Sequence, residues 1–211
     1  ASSLTMYATT ANSDISGYFK LVDSIGDTDY HSTAADVATG AITTSDQLIA
    51  SLAAPAELFI GNPGVLTMST IGNIAKTSGN QNQSAEFYFE VYKRNSSGTE
   101  TLVGTSDTTG EVNPDNLNSY EEFNASAQVI FGEVSATDRV VLKFYGSVYG
   151  NSGAEYEFQF GGTNPVRTLI PVPINIIHSD SASAMLTDTE NFDGILSGSD
   201  TTVQAALDTI D

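Results

Sequence analysis

Acid–base and metal chemistry have few candidates in this chain, which has two histidines, His31 and His178, and no cysteine. A thiol nucleophile, a Cys-based zinc site and a disulfide framework are excluded. A His-rich transition-metal site cannot be built from one copy. His178 follows an apolar run, His31 lies in an Asp-rich stretch, and neither sits near a Gly-x-Ser-x-Gly elbow, so both read as ordinary satisfied or solvated side chains. Carboxylates are more plentiful. Glu86 with Glu90, Glu155 with Glu157, and adjacent Glu121 and Glu122 are of the type a glycosidase uses, which needs two carboxyl groups ~5–10 Å apart. Their alternation with apolar residues explains them better as the wet faces of strands. Asp23, Asp27 and Asp29 offer the hard oxygen ligands that Ca²⁺ takes, so calcium is the one cofactor left in view, and otherwise none is expected. The acidic run from Asp188 to Gly194 misses the EF-hand spacing because Phe192 occupies a ligand position.

Charge narrows the partners. Seven Lys and Arg against 26 Asp and Glu give a net charge of −19, so the average surface repels phosphate and nucleic acid is not an expected ligand. No basic stripe is interleaved with aromatics. No apolar run reaches the ~18–20 residues that span a bilayer, the longest, residues 169–177, being broken by Pro171 and Pro173, and membrane insertion is not expected. At 211 residues the chain is long enough to bury roughly 70% of its unfolded surface in one large β domain.

The elements that must position any site are strands. The first 55 residues are rich in Ser, Thr, Ala and Asp, with one strand-like run at residues 17–22; residues 43–53 read as a short helix capped by Thr44 or Ser45 and stopped before Pro55. From Ala56 to Ile177, short alternating runs separated by turn residues carry the signature of an antiparallel sandwich. Phe87, Phe89 and Val91 should face a core while Glu86, Tyr88, Glu90 and Tyr92 face outward. Asn95-Ser96-Ser97-Gly98 then turns the chain into a hairpin over residues 86–106. Residues 120–134 and 139–149 read as a second pair joined through residues 135–138. Tyr156, Phe158 and Phe160 alternate with Glu155, Glu157 and Gln159. Residues 169–177, with two prolines on one face, read as an edge strand or an exit from the domain. Domain boundaries follow: residues 1–178 as an all-β, jelly-roll-like antiparallel sandwich, 179–198 as a linker, and 199–211 as a helical oligomerisation connector. In the connector, Ser199 is an N-cap and Asp200 sits at the favourable end of the helix dipole. Leu196, Val203 and Ile210 fall seven apart with Leu207 between them, an apolar seam that must find a partner.

Residues 187–211, with the turn Asn191-Phe192-Asp193-Gly194 followed by Thr202-Val203-Gln204-Ala205-Ala206-Leu207-Asp208, resemble a connector found in bacteriophage tail-fibre proteins. The resemblance covers about 25 residues and implies a homotrimer on the virion, associated with other fibre, tail or capsid proteins, with Phe192, Leu196, Val203, Leu207 and Ile210 at the trimer contact. The expectation that follows is a structural spacer of a viral fibre rather than an enzyme. The alternative is a receptor-binding module of such a fibre, in which Tyr88, Tyr92, Tyr145 and Tyr149 stack on host surface glycans.

Overall fold

Period-two alternation is what the chain builds with throughout. The computed structural model describes residues 2–30, 35–56, 58 and 61–172, and within them every helix-or-strand element is a β-strand. The chain divides into two compact units, Ala1–Ile174 and Asn175–Asp211, and the described residues all belong to the first. The expected linker and helical connector, with Phe192, Leu196, Val203, Leu207, Ile210 and His178, lie outside the described residues, as does His31.

The strands are β1 Ser2–Asn12, β2 Phe19–Val22, β3 Ala35–Ile42, β4 Gln47–Ala53, β5 Val65–Ser78, β6 Ala85–Arg94, β7 Glu100–Thr105, β8 Tyr120–Ile130, β9 Arg139–Val148, β10 Ala154–Phe160 and β11 Arg167–Val172. They form one sheet in the order β3-β10-β5-β11-β1-β2-β4-β9-β6-β7, with β8 paired to β5. Pairing is antiparallel except between β2 and β4. The sheet folds over on itself. The Phe87 ring of β6 meets Tyr156 and Phe158 of β10 edge-on at 5.0 and 5.1 Å, and Phe158 in turn meets Phe123 of β8 at 5.4 Å and Phe144 of β9 at 6.1 Å. Each of these aromatic pairs is worth about 0.5–1.5 kcal/mol beyond the area it buries. The alternation in β6 and β10 is as the sequence predicts: Phe87, Phe89, Val91, Tyr156, Phe158 and Phe160 are all buried.

The β6–β7 hairpin is also as expected. Its loop is held by the Asn95 side chain, whose Oδ1 accepts hydrogen bonds from the backbone N–H of Ser97 and Thr99 at 3.1 and 2.8 Å. Gly98 takes φ 86°, a conformation that only glycine adopts freely.

Three local expectations are corrected. Residues 43–53 do not form a helix: Gln47–Ala53 is strand β4, hydrogen-bonded to β9 on one flank and β2 on the other, and those ladders override a weak helical preference. Residues 120–134 and 139–149 are not partners. The turn between them exists, with Asp138 N–H donating to the Ser135 carbonyl at 3.0 Å, but β8 pairs with β5 from Tyr120 to Ile130 while β9 lies between β4 and β6. Turn chemistry reports a reversal and not which strand becomes the neighbour. Finally, of the two readings of residues 169–177, an edge strand or an exit from the domain, the edge does not hold for β11. It pairs with β5 from Arg167 to Leu169 and with β1 from Arg167 to Val172, so its β5 ladder ends two residues before Pro171, which has no N–H to continue it.

Candidate functional site

The outward residues of β6 and β9 form a band. Tyr88 and Tyr145 are cross-strand partners, as are Glu90 and Lys143, and the register sets their side chains side by side on the face opposite Phe87 and Phe89. The Tyr88 and Tyr145 rings stack 5.2 Å apart at 13°. The Tyr88 hydroxyl donates to Asp46 Oδ1 at 2.8 Å, and the Tyr92 hydroxyl donates to Glu90 Oε2. Asp46 has φ 56° in the turn before β4, and the Ser147 hydroxyl bonds its backbone N–H at 2.9 Å. Lys143 Nζ sits over the Tyr92 ring, 4.6 Å from its centre.

Glu100, at the start of β7, closes the other end. Its carboxylate accepts from the Tyr18 hydroxyl at 2.6 Å, from Lys143 Nζ at 2.6 Å and from Arg94 Nη1 at 3.0 Å. The side chain is 14% exposed. Burial pushes the Glu100 carboxyl up, but the hydrogen bonds from Lys143 and Tyr18 outweigh it, and the group titrates below the usual carboxylate range. Burial also pushes Lys143 down, and Glu100 reverses that, leaving the ammonium above its ordinary value. Tyr88 and Tyr92 are raised, first by burial and then by donating to Asp46 and Glu90, whose charges disfavour a phenolate. At one end of the band Lys143 and Arg94 are matched by Glu100. At the other end the side-chain contacts of Asp46 are with the hydroxyls of Tyr88 and Ser147, both uncharged, while Glu90, the cross-strand partner of Lys143, lies between the two ends.

Of the four tyrosines singled out in the sequence, Tyr88, Tyr92 and Tyr145 are brought together. Tyr149 lies past the end of β9, 56% exposed and outside the hydrogen-bonded band. Asp46, Glu100, Arg94, Lys143 and Tyr18 were not foreseen; the alternation of β6 predicts its outward face, but which distant charges meet it depends on strand order. The acidic loop does not form a cation cage. Asp29 pairs with Lys20, and Asp29 N–H donates to Asp27 Oδ1 at 2.8 Å. Among the described residues no group of three or more His, Asp or Glu is placed to hold a metal ion. Of the paired glutamates, Glu157 accepts a hydrogen bond from the Tyr120 hydroxyl at 3.0 Å and Glu90 accepts one from Tyr92.

No family model matches the chain, and no curated protein matches its sequence. Solved structures do share its fold. A CocE/NonD family hydrolase from Staphylococcus aureus superposes with a TM-score of 0.56 over 82% of this chain and 36% of its own, at 11% identity. An α-amino acid ester hydrolase gives 0.51 at 11% identity over the same shares, 82% and 36%. An aminopeptidase from the marine sediment archaeon Thaumarchaeota archaeon gives 0.50 at 7% identity, over 82% and 37%. The chain thus spans little more than a third of the length of these proteins, and at such identities the likeness is one of fold. It nevertheless overturns the expectations of a viral-fibre spacer, of a receptor-binding module of a fibre, and of a chain with no place in an enzyme. Those rested on about 25 residues outside the described part, whereas the likeness to hydrolases extends over 82% of the chain. All-β architecture is what the chain shares with a portion of these enzymes.

Proposed function

We propose that this chain is a β-sheet module of a hydrolase acting on α-amino acyl esters or amides, and that the tyrosine band is the face it turns toward substrate. The observation that carries this is the superposition of 82% of the chain onto about a third of an α-amino acid ester hydrolase and of an aminopeptidase. The folded-over antiparallel sheet supports a jelly-roll-like arrangement of the module. The band supports the substrate class. A free α-ammonium group needs a carboxylate and profits from an aromatic face, and Lys143 already shows an ammonium held between the Tyr92 ring and the Glu100 carboxylate. Asp46 leaves the same chemistry open at the far end, where the Tyr88 hydroxyl fixes the carboxylate beside the stacked Tyr88 and Tyr145 rings in advance, and preorganised groups lose less entropy on binding. A net charge of −19 further favours cationic ligands.

The test is hydrolysis of α-amino acid esters and aminoacyl p-nitroanilides by the native polypeptide that carries residues 1–211. Saturable turnover of either, reduced when the α-amine is acetylated, is expected; a polypeptide inert toward both contradicts the reading.

A further inference from the structure

Seven cationic side chains serve this strongly acidic chain, and the hydrogen bonds and ion pairs show how each is used. Lys20 pairs with Asp29, Arg139 with Asp14, and Arg94 and Lys143 share Glu100. Lys76 and Lys93 are held by carbonyl-type oxygens. Arg167 differs. Its one polar contact among the described residues is a 3.5 Å approach of Nη1 to the carbonyl of nearby Pro165, at the limit of a hydrogen bond. A guanidinium has five N–H donors in a planar fork that matches a carboxylate, and among the described residues nearly all of them are uncommitted.

The surroundings are built rather than accidental. Arg167 and Tyr7 are direct cross-strand partners on β11 and β1. Their neighbours Thr168, Met6 and Ala8 are buried, and Thr168 Oγ1 bonds Thr70 Oγ1 at 2.8 Å in the interior, so the alternation turns Arg167 and Tyr7 together to the outer face. The Tyr7 ring meets Tyr30 edge-on at 5.7 Å. The Tyr30 hydroxyl donates to the Gly162 carbonyl at 2.7 Å, which ties the turn after β10 to the same place. Together with Ile25, Asn164 and Pro165 these groups line a groove of about 540 Å³, within the range of small-molecule sites. Ile25 is 64% exposed there.

We infer that this groove is a second binding site, distinct from the tyrosine band, and that it takes a small carboxylic acid with an apolar or aromatic body, its carboxylate on Arg167 and its body against Tyr7, Tyr30 and Ile25. The inference does not depend on the hydrolase reading. A cation with free donors in a field of −19 supplies a local attraction that the rest of the surface lacks, and two rings and an exposed isoleucine exclude water from an apolar body. Free inorganic phosphate would satisfy Arg167 and gain nothing from those walls.

The experiment is ligand-observed NMR on the full chain with benzoate, benzamide and inorganic phosphate at one ionic strength, repeated on Arg167→Met and Arg167→Lys. Benzoate should bind in preference to both others. Arg167→Met should weaken it by about tenfold or more, the loss of a charge-assisted contact. Arg167→Lys, which keeps the charge but not the fork, should fall between. Because Arg167 makes no ion pair among the described residues, both variants should melt with the wild type, so that lost binding is not lost folding. Equal binding of benzoate and benzamide, tighter binding of phosphate than of benzoate, or wild-type benzoate affinity in Arg167→Met would each overturn the assignment.

Discussion

Tyr88 and Tyr145 face each other across β6 and β9 with rings 13° from parallel, and the Tyr88 hydroxyl is tied to Asp46, 42 residues earlier in the chain. The pair links a cross-strand contact, set by register, to a long-range bond, set by topology. A double-mutant cycle of Tyr88→Ala and Tyr145→Ala in urea unfolding should therefore show a coupling of about 0.5–1.5 kcal/mol. Strict additivity would mean that the stack contributes nothing of its own.

Alkaline stability follows from the same band. Tyr88 and Tyr92 titrate above the ordinary phenol value of 10.0 in the folded chain, so the stability they bring is complete below that value and is lost as pH rises beyond it. Melting temperature should fall steadily above about pH 10. The fall should be shallower in Tyr88→Phe, which has no phenol to ionise; identical profiles would contradict the assigned bonds.

Glu100 governs the acid side. Its folded-state value lies below the ordinary 4.5, so its contribution is present above that pH and is lost as pH falls through the lower folded value. Glu100→Gln leaves Arg94 and Lys143 half-buried without their carboxylate and should cost about 3 kcal/mol near neutrality. Its melting temperature should also change less than that of the wild type between pH 5 and pH 2. A variant as stable as the wild type at pH 7 would show that the three-way contact is incidental.

Lys76 is 1% exposed, and its ammonium donates to the Asn80 carbonyl at 2.8 Å, to the Gln83 carbonyl and to Asn113 Oδ1 at 2.7 Å. It ties together the turn after β5 and the segment before β8. Lys76→Met should strand those oxygens and destabilise the chain by about 3 kcal/mol or more. Chemical denaturation would reveal it, and a loss under 1 kcal/mol would refute the role.

Gly72 marks a close approach. A Cβ there would lie 2.7 Å from Val166 Cγ2 and 2.8 Å from Val166 Cα. The Val166 backbone is pinned by hydrogen bonds to Gln159 and Ala8, so it cannot retreat. Gly72→Ala should cost about 1–3 kcal/mol, and adding Val166→Ala should not restore it, since the backbone contact remains. Full rescue by the second substitution would place the clash in the side chain alone.

Much of the fold was legible in the sequence because period two is a local signal. Phe87 and Phe158 announce their buried faces by alternation with Glu86 and Glu157, and Asn95 and Gly98 announce their turn by side-chain chemistry. Strand order was not legible. Nothing local to Tyr120–Ile130 distinguishes β5 from β9 as its neighbour, and nothing local to Gln47–Ala53 shows that two ladders will hold it extended. The candidate site divides in the same way. Tyr88 and Tyr92 follow from one strand's pattern, while Asp46, Glu100 and Arg167 acquire meaning only from what the topology sets beside them. The short polar connector at residues 187–211 pulled the functional expectation toward a viral fibre, because a recognisable motif of 25 residues outweighed a β region whose likeness resides in its fold and hardly in its residue identities.

The most direct test of the proposal that the tyrosine band faces substrate is the Asp46→Asn variant of the native polypeptide, assayed on an α-amino acid ester and on its N-acetyl counterpart. Asparagine tolerates the positive φ at this position and can still accept the Tyr88 hydroxyl, so only the charge is removed. The account predicts that KM for the free-amine ester rises about tenfold with kcat unchanged, the mark of lost ground-state binding, while the acetylated ester is unaffected. An unchanged KM for the free-amine ester, with folding intact, would contradict it.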